Sequence, residues 1–316
     1  MYKVLGTRRS LLATTQTELV RNVLCNRWSN LTCEVVTIVT SGDEDRFKPG
    51  QPVPLVAGVK GLFTAELEEA LSIGRIDLAV HCLKDMPAAC NSNFVVVPVL
   101  ERDWPFDVLI TRPRSSPSLE ELPFGTVVGT TSLRRITQLR ALRPDFKFLE
   151  TRGNVDTRLR KLDSGEVDAI ILAEAGLRRL GLADDRPFIR FSLSEMVPAP
   201  GQGILAAQCR VDDVDTQSLI SGLVDNCVAS AVVAEQAFII GIGATCQTPV
   251  GAYAEVSNGI ITLTIRCSAA DGSDKTIDLC QSGPQADSAS IGASLAKEAI
   301  AAGAIQLLGL EYSKRC

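Results

Sequence analysis

The 316-residue chain has one histidine, His81, and none of its ten cysteines (Cys25, Cys33, Cys82, Cys90, Cys209, Cys227, Cys246, Cys267, Cys280 and Cys316) forms a C-x-x-C pair. A structural zinc site therefore lacks its usual ligand spacing, and one imidazole argues against histidine metal triads and Ser-His-Asp relays. No metal is expected. The cysteines read as small buried hydrophobes in a reducing compartment. No stretch approaches the roughly 18 uncharged apolar residues of a membrane-spanning helix. The strand-like YKVL begins at residue 2 with no signal-like segment ahead of it. The expectation is a protein of the cytoplasm, or of an organelle if a leader has been removed. Aromatic residues make up only 5% and the net charge is −5, so a broad basic field and stacking platforms for nucleic acid are both missing. Neither G-x-x-x-x-G-K-[ST] nor G-x-G-x-x-G occurs, which disfavours a nucleotide ligand.

What is present is a long alternation of strand and helix patterns. YKVLG, CEVVTIVT and IDLAVHC are apolar runs suited to parallel strands, separated by the 3.6-spaced SLLATTQTELVRNVL and KGLFTAELEEALSIG. An α/β sheet with crossover helices follows. Two internal echoes double it: VLGTRRSLLATTQ returns as VVGTTSLRRITQL at 127–139, and LSIGRIDLAVHCLKD at 71–85 returns as LDSGEVDAIILAEAG at 162–176. Two lobes of like topology are implied, with crossings near ERDWPFD and VPAPGQG, hence a hinged cleft. The reading assigns 1–102 and 200–223 to a first α/β lobe and 103–199 to a second. After that, a helix-like CVASAVVAEQAFII, alternating strands at 260–269 and 275–282 and a last helix near 288–302 make 224–316 a smaller C-terminal α+β domain.

Charge is concentrated at the ends of the repeated units. Arg8 and Arg9, and again Arg134 and Arg135, are expected in the first turn of a helix, where a cation opposes the macrodipole. An anion that gains from the guanidinium forks and from free backbone N–H groups would explain them. TRGNVDTRLRK adds Arg152 at a strand end and Arg158 one turn into a helix starting near Val155, while Arg160 and Lys161 read as solvated. The ligand should carry several carboxylates or phosphates. In HCLKDMP, His81 reads as a structural residue, whereas Lys84 and Asp85 stand just past a buried parallel strand, where open α/β sheets build their sites.

Taken together, GTRRSLLATTQ, KGLFTAELEEAL, DLAVHCLKDMP, VVGTTSLRRITQLR, TRGNVDTRLRKLDSGEVDAIILAEAGLRRLGL, GQG and CQTPVG resemble, in order and along nearly the whole chain, the porphobilinogen deaminase (hydroxymethylbilane synthase) family. The resemblance implies two lobes like type II periplasmic binding proteins plus a third domain. It implies a usually monomeric transferase of tetrapyrrole biosynthesis that joins four porphobilinogens head to tail, releasing ammonia, into 1-hydroxymethylbilane on a dipyrromethane cofactor. Cys246 matches the thioether attachment point of that cofactor. Asp85, Lys84 and Arg8 match catalytic positions. Arg8, Ser10, Lys84, Thr130, Ser132, Arg134, Arg135, Arg152 and Arg158 match the contacts to the acetate and propionate groups of pyrrole rings. Departures from the family pattern are Ala244 and Thr245 where glycine often precedes the attachment cysteine, Val59 before Lys-Gly-Leu-Phe, Gln236 for arginine, and Cys82 for serine. A two-lobed polycarboxylate-binding protein without catalysis is the rival reading, and Asp85 and Cys246 discriminate against it.

Overall fold

A computed structural model describes residues 1–39, 64–88, 91–112, 118–184, 186–245 and 247–310. In chain order it contains β1 (Tyr2–Arg8), α1 (Leu11–Arg27), β2 (Thr32–Ile38), α2 (Ala65–Ser72), β3 (Leu78–Cys82) with a 3₁₀ turn at Leu83–Asp85, and β4 (Phe94–Val99). Next come β5 (Asp107–Thr111), β6 (Val127–Gly129), α3 (Leu133–Leu142), β7 (Lys147–Leu149), α4 (Val155–Asp163), β8 (Ala169–Ala173), α5 (Glu174–Arg179) and β9 (Phe188–Arg190). They are followed by β10 (Leu205–Arg210), α6 (Val214–Ser221), α7 (Asn226–Ile242), β11 (Val250–Ser257), β12 (Ile260–Ser268), β13 (Thr276–Pro284), a 3₁₀ turn, α8 (Ser288–Ala301) and α9 (Ala304–Leu307). One compact unit comprises Met1–Glu101 and Ile204–Asp225, the other Arg102–Gly203 and Asn226–Cys316. Among the described residues no single helix is long and apolar enough to cross a membrane.

The sequence echo is a fold echo. The first unit's sheet runs β2-β1-β3-β10-β4 and the corresponding sheet of the second runs β7-β6-β8-β5-β9. In each, three parallel strands are followed by one antiparallel strand. That strand comes late in the chain in the first sheet (β10) and early in the second (β5), so the chain leaves the first unit after Glu101, returns to it at Ile204 to add β10, and passes to the second unit again after Asp225. The Gly-x-x-Asp turns do the same job in both. Asp77 accepts a hydrogen bond from Val4 N at 2.8 Å, and Asp168 one from Val127 N at 3.0 Å. Each aspartate thereby satisfies a backbone amide of the neighbouring parallel strand. The glycines of the two Gly-Thr steps are closely packed as well. A Cβ at Gly6 would lie 2.3 Å from Ile76 Cδ1, and one at Gly129 would lie 2.6 Å from Thr151 Oγ1.

Both sheets are buried on two faces, so their strands read as continuous apolar runs and not as alternations. Leu5, Val80, Leu205 and Val99 pack with Val20 and Leu24 of α1 and Ile220 of α6, and the opposite face takes Ile38, Ala79 and Phe94 against Leu67 and Leu71 of α2. In the second sheet Val108, Ile110, Ile170 and Leu172 meet Leu159 and Leu162 of α4, while Leu109, Val128 and Ile171 meet Leu139 of α3. The remaining strands form an antiparallel sheet, β11-β12-β13.

Three details depart from the sequence reading. Strands β4, β5, β9, β10 and β11 lie in segments for which no strand was assigned, because Pro98, the polar opening at Asp107 and the alanine-rich LAAQCR weaken the local pattern. Only Cys209 and Cys267 are buried among the described cysteines; Cys25, Cys33 and Cys82 are half-buried, and Cys227 and Cys280 are exposed. The first crossing falls between Glu101 and Arg102. Arg102 is committed to the second unit by its Nη1 hydrogen bonds to buried Glu235 Oε1 (2.6 Å) and Ala254 O (3.1 Å) and by its Nε bond to Gln202 O (2.9 Å).

Candidate active site

In the first unit the C-terminal ends of β1 and β3 are neighbours, so the residues that follow them share one edge of the sheet. Arg8 is the last residue of β1, and Ser10 caps α1 by accepting from Ala13 N at 3.3 Å. Arg8 and Arg9 therefore precede the helix instead of occupying its first turn, and the macrodipole conflict expected of them does not arise. After β3 the chain turns sharply. Leu83 and Met86 are both buried, Leu83 N donates to Ile204 O at 3.0 Å, and Met86 N donates to Leu83 O at 3.0 Å. These two apolar anchors fix the turn, leaving Lys84 half-buried and Asp85 exposed at the edge that also carries Arg8.

His81 belongs to the support beneath this edge. It is buried, its Nε2 donates to Gln208 Oε1 at 2.9 Å, and Gln208 Nε2 donates to Glu68 Oε1 at 3.0 Å. The direction follows from the chain of partners: Glu68 can only accept, so the glutamine oxygen faces the ring. Burial, with a smaller contribution from the Arg8 charge, pushes the imidazole down to about 4 against the opposing effect of the Gln208 bond. A neutral structural histidine results. Cys82, standing where serine is common in the family, donates its Sγ–H to Gln16 Oε1 at 3.2 Å.

In the second unit Thr130, Ser132 and Arg152 follow β6 and β7 at the corresponding edge. Thr130 is buried and its Oγ1 accepts from Ser132 N at 3.2 Å, while Ser132 caps α3 through Arg135 N at 3.5 Å. Arg152 is exposed and ion-paired to Glu150 at 2.5 Å; Arg158 Nε donates to Gly153 O at 2.8 Å. Arg160 and Lys161 pair peripherally with Asp156 and Glu166, and Arg160 Nη2 also donates to Thr157 Oγ1 at 3.1 Å.

Arg134 and Arg135 do sit in the first turn of α3, but the anion that explains them is internal. Asp107, 0% exposed, receives Arg134 Nη1 at 2.8 Å and Arg135 Nε at 2.9 Å, and the two arginines are only 5% and 7% exposed. Arg134 Nη1 also donates to Val197 O at 2.9 Å and Arg135 Nη1 to Ile171 O at 3.1 Å. Sequence spacing could not pair a carboxylate with cations 27 and 28 positions away; the one available signal was a charged residue opening the otherwise apolar DVLIT. Among the described residues, Arg134 Nε and Nη2 make no hydrogen bond, which leaves this guanidinium two donors for an outside carboxylate. No cluster of metal-ligating side chains occurs among the described residues. Cys246, Val59 and the 60–63 motif lie outside them.

The chain is similar to known proteins along most of its length. Residues 4–218 match the family model described as porphobilinogen deaminase, dipyrromethane cofactor binding domain, and residues 229–301 match the porphobilinogen deaminase C-terminal domain. A porphobilinogen deaminase of Roseiflexus sp. is 42% identical over 305 residues, 96% of this chain and 98% of the relative. That of Geobacillus kaustophilus is 44% identical over 271 residues, covering 86% of each chain.

Two outcomes follow from this geometry. Asp107→Ala strips a buried carboxylate from two buried guanidiniums and should lower the unfolding free energy by about 3–5 kcal/mol, read from denaturant midpoints; a loss below about 1 kcal/mol would contradict the pairing. For His81, the folded state resists protonation while the unfolded chain accepts a proton near 6.5. Its contribution is therefore complete above about 6.5 and is lost as pH falls from there toward 4, at about 1.4 kcal/mol per pH unit. The slope of unfolding free energy against pH in that window should flatten by this amount in His81→Gln, and an unchanged slope would refute the assignment.

Proposed function

The chain belongs to the porphobilinogen deaminase family, and on that premise we propose that the edge carrying Arg8, Lys84 and Asp85 is where its chemistry takes place. As a member it is a transferase of tetrapyrrole biosynthesis, condensing four porphobilinogens head to tail, with release of ammonia, into 1-hydroxymethylbilane. A binding protein without catalysis is not favoured, because the family match runs through both the cofactor-binding and the C-terminal domains.

The observation that carries the reading is the turn after β3, where two buried apolar side chains hold Lys84 and Asp85 outward beside the end of β1. Porphobilinogen has an acetate and a propionate on one pyrrole ring. Arg8 and Lys84 meet such carboxylates as charge-assisted donors, with Ser10 beside them. When the substrate's protonated amine leaves, the remaining pyrrole unit is cationic, and an exposed carboxylate next to the ring N–H lowers the energy of that charge. Asp85 fills this role and exchanges the proton that the new bond displaces. Thr130, Ser132, Arg134, Arg135, Arg152 and Arg158 complete the proposed carboxylate-binding set on the second lobe, Arg134 through Nε and Nη2 and Arg135 chiefly through its field.

The cofactor-binding domain implies a resident dipyrromethane, which when bound supplies the primer on which substrate units are joined. An anionic dipyrrole fits a sheet edge furnished with guanidiniums and hydroxyls. Its covalent attachment through Cys246 is part of this proposal.

Asp85→Ala should reduce turnover by at least about 10²-fold in a steady-state assay of bilane formation, and near-normal turnover would remove Asp85 from the mechanism. The purified protein should be heavier than its bare chain by two pyrrole units in intact-mass measurement. In Cys246→Ala that excess should vanish; an unchanged excess would place the attachment elsewhere.

A further inference from the structure

The carboxylate-binding set leaves one group of cations at the same edge of the second sheet unused. Arg178 of α5 and Arg190, the last residue of β9, both bind Glu174: Arg178 Nε to Oε1 at 2.8 Å, Arg190 Nε to Oε2 at 2.6 Å and Arg190 Nη2 to Oε1 at 2.5 Å. Glu174 is 0% exposed, whereas the two arginine side chains keep 34% and 37% of their surface in solvent. Trp104, 43% exposed, has both guanidiniums 4.5 Å from its ring centroid. Carboxylate and indole together hold the two forks in fixed orientations, so little side-chain entropy remains to be lost on binding an anion. One carboxylate against two guanidiniums leaves a net positive charge at the surface.

The position of this group matters as much as its charge. With strand order β7-β6-β8-β5-β9, Arg152 follows β7, Arg134 and Arg135 follow β6, Arg178 follows β8, and Arg190 ends β9, whose register places it opposite Val108 near the start of β5. Guanidiniums thus line one edge across the full width of the sheet. A six-ring chain carries twelve carboxylates, two per ring. The six cations of the proposed binding set (Arg8, Lys84, Arg134, Arg135, Arg152, Arg158) are too few to match them, and Asp107 and Asp85 offset part of that charge.

We propose that Arg178, Arg190 and Trp104 form a further anion subsite that takes carboxylates of the lengthening polypyrrole and matters increasingly as units are added. This inference rests on the deaminase reading. It is tested on the holoenzyme by mixing with porphobilinogen, quenching at intervals, and resolving one- to four-unit covalent species by intact mass. In Arg178→Gln/Arg190→Gln the rate of the fourth addition relative to the first should fall at least fivefold. A ratio equal to that of the wild type would overturn the proposal, even if both rates changed. If the double variant does not fold, Arg190→Gln alone, at the end of a three-residue strand, is measured by the same ratio, with an expected fall of at least twofold. A second readout does not depend on turnover. With Trp28→Phe removing the other indole, Trp104 emission should shift saturably on titration with butane-1,2,3,4-tetracarboxylate, and Arg190→Gln should raise the half-saturating concentration at least fivefold. No saturable shift, or one untouched by the substitution, would also overturn the subsite. Absence of any mass adduct in the wild type would instead overturn the deaminase reading itself.

Discussion

A buried carboxylate shared by two arginines is the interaction on which the second lobe depends. It occurs twice, as Asp107 with Arg134 and Arg135 and as Glu174 with Arg178 and Arg190. An isolated guanidinium at a sheet edge would be mobile and hydrated, and a buried one without a partner would cost several kcal/mol. One carboxylate between two forks solves both problems and still leaves a net positive charge. An acidic chain with a net charge of −5 can in this way present cations in fixed orientations at one edge.

The two α/β sheets show how duplicated parts diverged in use. Strand order, the closely packed glycine near the end of the central parallel strand, the aspartate that caps a neighbouring strand and the serine at the helix N-cap are common to both. At the end of the third parallel strand they differ. In the second lobe Glu174 turns inward to bind arginines, whereas in the first the buried Leu83 stands at the matching position of the echo and is followed by the half-buried Lys84 and the exposed Asp85. A buried carboxylate that orders cations and an exposed one thus occupy corresponding edges.

Much of the fold could be read from local pattern. The start of α4 at Val155, the long helix near 227–240 and the last helix near 288–302 agree with α4, α7 and α8 within a few residues, because helix periodicity survives in any one stretch of chain. The strands that return antiparallel were not legible, since β5 and β10 are completed by partners 58 or more positions away, such as Ala169 for Thr111 and His81 for Ala206. The first-turn arginines show the same limit. Their placement correctly signalled an anion, but the signal could not distinguish a ligand from Asp107.

By itself the sequence determined the doubled α/β plan, the clustering of basic residues at repeated strand ends and the place of Lys84 and Asp85 just past a buried strand, since each is encoded in contiguous residues and their spacing. Only the tertiary structure decided which charges stay exposed and which are spent on internal pairs. Burial and pairing depend on side chains that the chain brings together from distant positions, and a guanidinium looks the same in sequence whether its partner is a substrate carboxylate or an aspartate at 0% exposure.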